Sequence, residues 1–348
     1  MNEQLHLNVA LLKRSVPNLT SAARAVGLRP ATVSNLCTGK IPVGRAEVKT
    51  LVALANLANC TLDDLIIRGN AVKMIETGIK VLDVFAPLVQ GGTIGFVARA
   101  QMGQQVLVAE LFYRLKEQGF TSIFYQTTEN HEVVTDIRES VDFVGNSMDD
   151  VVTFISKVED KDKILLASER SAIESGDIYE TKDRLQTIGV TSITTMLFDP
   201  SGEAVDEEDP FGPLDTLWSF DMDLVARRIY PGVNPISSTS ILLEDALLDT
   251  NHLTIQRRAR KFLRRYREIR FLVNAIGLDK IHEADVHHFN RGARLEAFLS
   301  QAFYIAEPVT GKPGEYVSLH DSLHSIQAIL DGAADSIEVD QLLYIGKL

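Results

Sequence analysis

Cysteine is almost missing: Cys37 and Cys60 are the only two in 348 residues. That excludes a disulfide framework, fits a reducing cytosol, and leaves both thiols to serve as small core residues. Tryptophan occurs once. No apolar run approaches the roughly 18 residues that cross a bilayer, so membrane insertion is not expected. The opening stretch, MNEQLHLNVALLKRS, is acidic and polar before it is basic, which does not read as a secretory signal. Disorder is excluded as well, because 45% hydrophobic and 24% charged residues are ordinary for a globular chain. The length suggests two or three domains.

Positive charge is scarce in most of the sequence, but not at its start. The chain carries a formal −12, yet residues 1–70 hold eight basic and four acidic side chains, a net +4, and leave −16 to the rest. A basic head on an acidic body predicts separate partners for the two parts.

In the head, apolar residues recur at helical spacing in short bursts separated by turn signals. Leu5, Val9 and Leu12 suit one face of a first helix. Thr20 or Ser21 caps a second, Ala22 to Val26, which stops at Gly27. A third runs from Pro30 to Cys37, with proline where its missing N–H is tolerated. Arg45 to Leu57 and Thr61 to Ile66 supply two more, the last capped by Thr61.

The segment SAARAVGLRPATVSNLCTGK resembles the helix-turn-helix of lambda-repressor and lac-repressor type DNA-binding domains. Ala23 falls where the first helix must be thin, Gly27 lies at the turn, and Val33 and Leu36 face inward. The resemblance implies that Pro30 to Leu36 enters the major groove of double-stranded DNA. Arg29, Thr32, Ser34 and Asn35 would reach bases or phosphates, and Lys40 a phosphate. The alternative is a five-helix protein-interaction module.

From Met74 the texture changes to strand–helix alternation, with β-branched and aromatic runs in GTIGFVA, TSIFYQTT, KILLAS and TSITTMLF. Gly103 to Leu115 reads as the helix after the first of these. Such alternation predicts a largely parallel sheet covered by helices. The last hundred residues are helical in pattern from Thr254 to Phe303 and again from Ser322 to Ile329. The predicted architecture is therefore multidomain. An all-α head spans 1–70, an α/β domain with a mostly parallel sheet 71–240, and an α-helical C-terminal domain 241–348.

Four stretches in order carry a second resemblance: ETGIKVLDVFAPLVQGGTIGFVA from Glu76, IYPGVNPISSTS from Ile229, IRFLVNAIGLDKIHEAD from Ile269 and LEAFLSQAFYIAEPVTGKPGEYVSL from Leu295. They resemble the beta subunit of rotary ATP synthases, which implies a RecA-type fold and ATP or ADP as the ligand. The helix-turn-helix stands where that family carries a β-barrel.

The departures bear on chemistry. A phosphate loop needs glycines to wrap phosphates with backbone N–H groups, a lysine to neutralise them and a hydroxyl to hold magnesium. Here the stretch is ARAQMGQQ. Gly103 is kept, Ala98 replaces the first glycine, and Gln104 and Gln105 take the lysine and hydroxyl positions. Arg99 could reach a phosphate from within the loop or serve as a surface arginine.

Glu129 falls at the family's catalytic carboxylate, but Asn130 replaces its arginine neighbour. Tyr230 and Phe303 match the aromatic residues around adenine, a third such position is Val309, and Ile241 replaces an arginine. TSITTMLFDP fits either the magnesium strand, making Asp199 a metal ligand, or a later strand, making Asp199 a loop-end residue. The spacing to IYPGVNP favours the second, with the magnesium strand deleted or surviving as KILLASE. His287 and His288 read as solvated, and no metal site is expected.

The sequence thus predicts a cytoplasmic, homo-oligomeric DNA-binding regulator or adaptor whose ATPase-like domain does not hydrolyse ATP. A weak ATPase acting on DNA and a non-catalytic partner of a rotary-ATPase-like subunit are the alternatives.

Overall fold

The computed structural model describes residues 5–16, 19–37, 41, 43–68, 73–126, 137–190, 192–207, 210–244 and 248–348. Its contacts divide the chain into two compact units: 1–73 with 242–249, and 74–241 with 250–348.

The first unit is a helical cluster: α1 (Val9–Ser15), α2 (Leu19–Ala25), α3 (Pro30–Cys37), α4 (Val48–Ala58) and α5 (Leu62–Leu65). Leu12, Ala23, Val33, Leu36, Leu54 and Leu65 form its core, and Cys37 and Cys60 pack half-buried against it. Thr61 caps α5 in a reciprocal box with Asp64, as its place before an apolar run suggests. Leu5 is not helical. Leu5–Leu7 is β1, antiparallel to β2 (Ile66–Arg68), a pairing of short segments that helical periodicity cannot reveal. The helix expected from Arg45 begins instead at Val48, after a 3-10 turn at Val43–Arg45. The second helix starts three residues earlier than its Ala22 signal.

In the second unit a hairpin of β3 (Met74–Ile75) and β4 (Leu88–Val89) flanks the short α6 (Lys80–Phe85). The main sheet, among the described residues, has seven strands. They are β5 (Thr93–Val97), β6 (Thr121–Tyr125), β7 (Phe143–Gly145), β8 (Ile164–Glu169), β9 (Ile193–Phe198), β10 (Thr216–Ser219) and β11 (Thr239–Ser240). Their order is β11-β10-β5-β9-β8-β6-β7, parallel except for the β10–β11 edge.

Strand side chains alternate between two cores, as the pleat requires. Phe96, Phe124, Ala167 and Phe198 enter one core with α7 (Gln104–Lys116). Ile123, Leu166 and Leu197 enter the other with α8 (Met148–Ser156) and α9 (Asp177–Thr187). Both faces are covered, which is why these strands read as continuous apolar runs.

The helices α10 (Thr250–Ile276), α11 (Glu283–Phe298) and α12 (Leu319–Asp331) join the first of these cores through Leu263, Phe298 and Ile326. A buried ion pair within α7 ties it to the segment after α11. Arg114 Nε meets Glu110 Oε1 at 2.6 Å, with side chains 1% and 0% exposed. Arg114 also donates to the carbonyls of Gly78 (3.1 Å) and Glu315 (2.8 Å), while Glu110 accepts the N–H groups of Tyr304 and Ile305.

Lys80 is fully buried, with Nζ 4.2 Å from the Phe298 ring centre and donating to the Ile345 carbonyl at 2.5 Å. Burial pulls its ammonium down to about 7, against an opposing pull from Glu315. Below pH 7 both folded and unfolded states hold the proton, and the cost of burying charge is present in full. Between pH 7 and about 10.4, the free-lysine value, the unfolded state binds more protons, so stability rises with pH. Lys80→Met is expected to remove that part of the rise in a series of urea denaturation midpoints. An equal rise in both proteins would assign it to other groups.

Candidate functional site

In the head, the sequence signals put α3 where a reading helix belongs. Gly27 takes φ +77° and Leu28 N donates to the Ala23 carbonyl at 2.9 Å, closing α2 with the left-handed residue such an end favours. Arg29 precedes Pro30 at the start of α3. Val33 and Leu36 turn into the core, both 3% exposed. Arg29 and Ser34 are exposed, and Thr32 and Asn35 are half-buried. Lys40 lies outside the described residues.

In the second unit, the residues of interest gather at the carboxyl ends of the parallel strands, where open α/β sheets place their ligands. The loop Ala98–Gly103 leaves β5 and enters α7 through Gly103 at φ +89°. Gln101, not a glycine, also takes a left-handed φ of +63°. This is a conformation that costs of order 1–2 kcal/mol for an ordinary residue.

Gln104, expected from the resemblance at the lysine position, is 3% exposed. Its amide is turned back onto the loop, with Nε2 3.4 Å from the carbonyl oxygens of Arg99 and Asp199. Its Oε1 is buried with no hydrogen-bond partner. Gln105 is half-buried.

The turn after β9 lies against this loop. A Cβ at Gly202 would sit 2.2 Å from the Ala100 amide nitrogen and 2.7 Å from the Arg99 carbonyl carbon, so only glycine permits the approach. Arg99 is not a free cation. Its guanidinium grips Asp206 with both terminal nitrogens, at 2.6 and 2.7 Å, and the pair holds the Asp206 carboxyl below its usual range.

Asp199 accepts the Ser201 N–H and hydroxyl at one oxygen and the Ala204 N–H at the other. Burial pushes its carboxyl up, but these bonds and the Arg170 charge outweigh it and hold the group low. These contacts make Asp199 the cap of the turn after β9. KILLASE forms β8, in register between β6 and β9. Among the described residues no group of His, Cys, Asp or Glu could hold a metal ion.

No local motif marks Asp206 or Gly202 as part of this site. Asp206 sits in an acidic run that reads as solvated, and the two loops are about a hundred residues apart. Glu129 and Asn130 lie outside the described residues. On the aromatic side, Tyr230 is half-exposed and its carbonyl accepts the Gln301 N–H at 2.8 Å. Phe303 is buried in the main core, while Val309 is 90% exposed. Tyr344, from the C-terminal segment, donates its hydroxyl to the Arg228 carbonyl, and the Lys312 ammonium lies 4.1 Å from its ring centre. Of the two histidines, His287 is exposed. His288 is not solvated, because it stacks on Phe262 with centroids 3.7 Å apart.

Comparison with known proteins follows the same division. The profile described as the ATP synthase alpha/beta family, nucleotide-binding domain, matches residues 78–198. The Cro/C1-type HTH DNA-binding domain matches residues 6–69. Among solved structures, a unique ATP synthase subunit, NeqB from Nanoarcheaum equitans, is similar in fold with a TM-score of 0.57 and 17% identity. The match covers 76% of this chain and 77% of that one. No helix among the described residues is long and apolar enough to cross a membrane. The chain therefore carries a Cro/C1-type helix-turn-helix DNA-binding domain at residues 6–69, followed by a nucleotide-binding domain of the ATP synthase alpha/beta family.

Proposed function

We propose that this chain is a DNA-binding transcription regulator or adaptor whose ATP synthase-like domain does not hydrolyse ATP. That domain serves self-association or the sensing of a ligand such as ATP or ADP. The observation that carries the reading is the state of the phosphate loop. Its lysine position is a neutral, buried Gln104 bonded to loop carbonyls, and its one cation, Arg99, is held by Asp206. The head supplies the DNA contact through α3, and self-association supplies the second half-site that a single helix-turn-helix needs.

Quantitative binding of the full chain to a panel of duplexes tests this. Arg29→Ala is expected to weaken all sequences alike and to lower the slope of log affinity against log salt by about 0.9, if Arg29 contacts one phosphate. Asn35→Ala is expected to flatten the preference between sequences by about 1–3 kcal/mol, the worth of a base contact. A chain that binds no duplex at any salt concentration hands the head to the protein-interaction alternative.

A second reading, docking to a rotary-ATPase-like subunit, draws on one feature. Phe271, Leu272, Ile276 and Leu278 are all exposed within eight residues, where solvent-facing apolar side chains mark contact surfaces.

A further inference from the structure

The second unit is strongly acidic, but its longest helix is not. α10 carries eight basic side chains and one acidic. Five of the eight are engaged. Arg258 pairs with Asp331, Arg265 with Glu268 and Asp285, Arg267 with Asp221, and Arg270 with Asp223. Arg260 donates to the carbonyls of Phe85, Pro235 and Ser238.

Arg257, Lys261 and Arg264 are exposed and make no ion pair or hydrogen bond with a described residue. Spaced i, i+4 and i+7, they lie on one face of the helix. That face is opposite the one that buries Ala259, Leu263 and Tyr266.

We propose that this stripe binds the phosphodiester backbone of nucleic acid. At 1.5 Å per residue the three cations span about 10.5 Å. A DNA strand presents one charge per roughly 3.4 Å of axis, so the stripe faces about three phosphates. Arg and Lys are the side chains that contact phosphate without reading sequence. An acidic protein fits less well, since protein interfaces centre on buried apolar anchors and deplete lysine. The nearest exposed apolar side chain on this face, Phe271, lies about two turns beyond Arg264.

The acidic excess elsewhere in the unit does not forbid the contact. At physiological salt, charges further away than about 8 Å are screened. The other cations of the helix are paired with carboxylates or, for Arg260, turned onto backbone carbonyls, so the stripe is where a polyanion meets the helix's unpaired, solvent-facing charge.

The inference takes its ligand from the DNA-binding reading, and the test separates the two. The full chain is titrated with a short labelled duplex of arbitrary sequence over a series of salt concentrations, beside Arg257→Gln/Lys261→Gln/Arg264→Gln. The expected result is a salt slope lower by about 2.7, three phosphates at about 0.9 each, with the ranking of sequences unchanged. Arg257→Lys/Arg264→Lys, which keeps the charge, is expected to keep the slope. This control guards against a folding defect.

A chain that binds duplex with the same slope in the triple variant overturns the stripe alone. A wild-type chain that binds no duplex overturns both readings. Should the triple substitution abolish binding of poly-glutamate while leaving DNA binding intact, the stripe belongs to an acidic protein and the proposal fails.

Discussion

Arg114→Ala is expected to lower the stability of the second unit by about 3–5 kcal/mol, the cost of leaving one member of a buried ion pair alone. The geometry gives the loss no relief. Glu110 is fully buried, and without the guanidinium its charge keeps only the N–H groups of Tyr304 and Ile305. The carbonyls of Gly78 and Glu315 lose their donor at the same time. The pair itself is not a large net gain over an apolar substitute, because desolvation offsets much of the attraction.

The double variant Glu110→Leu/Arg114→Met is therefore expected to be more stable than Arg114→Ala alone. Urea unfolding with an unchanged slope measures both. A loss under about 1 kcal/mol for Arg114→Ala would mean that water or a neighbour takes over the contacts. The effect concerns function as well as stability. α7 begins at the phosphate loop, and this pair fixes the same helix to the segment that carries Phe303 and Tyr304.

What the sequence disclosed depended on the range of the interactions involved. β5, β6, β8 and β9 announced themselves as β-branched and aromatic runs, because each is buried on both faces. β7, β10 and β11 have two to four residues each, too few for a periodicity. The helices of the head were legible from capping and turn residues such as Thr61 and Gly27. β1 was not, since its partner lies some sixty residues away and either strand alone looks like an extension of the neighbouring helix.

The site divides in the same way. The expectation that Gln104 and Gln105 stand in for the lysine and the hydroxyl comes from a local motif. The ion pair between Arg99 and Asp206 could not, because nothing near either residue specifies the other. A sequence reading of Arg99 leaves it either a surface arginine or a phosphate ligand. In the structure it is half-exposed and still committed to a carboxylate.

Phosphate release from ATP and magnesium by the purified chain is expected to be indistinguishable from buffer. Each lost donor to the developing charge costs roughly 2.7–4 kcal/mol, a hundred- to thousandfold in rate. With Gln104 and Gln105 read as standing at the lysine and magnesium hydroxyl positions, the two losses compound.

Restoring the motif alone is not expected to strengthen nucleotide binding. In Gln104→Lys/Gln105→Thr the new ammonium still enters a loop whose Arg99 is paired with Asp206 and whose Ala100 amide is covered by Gly202. Adding Asp206→Ala removes the competing carboxylate and frees a guanidinium suited to phosphate. Titration with a fluorescent ATP analogue should then show tighter binding in the triple variant than in the double. Equal affinity in the two would mean that Asp206 does not guard the loop. Steady ATP turnover by the wild-type chain that disappears in Glu129→Gln would sink the non-hydrolytic reading altogether, since it would place a working carboxylate beside a loop that has neither lysine nor hydroxyl.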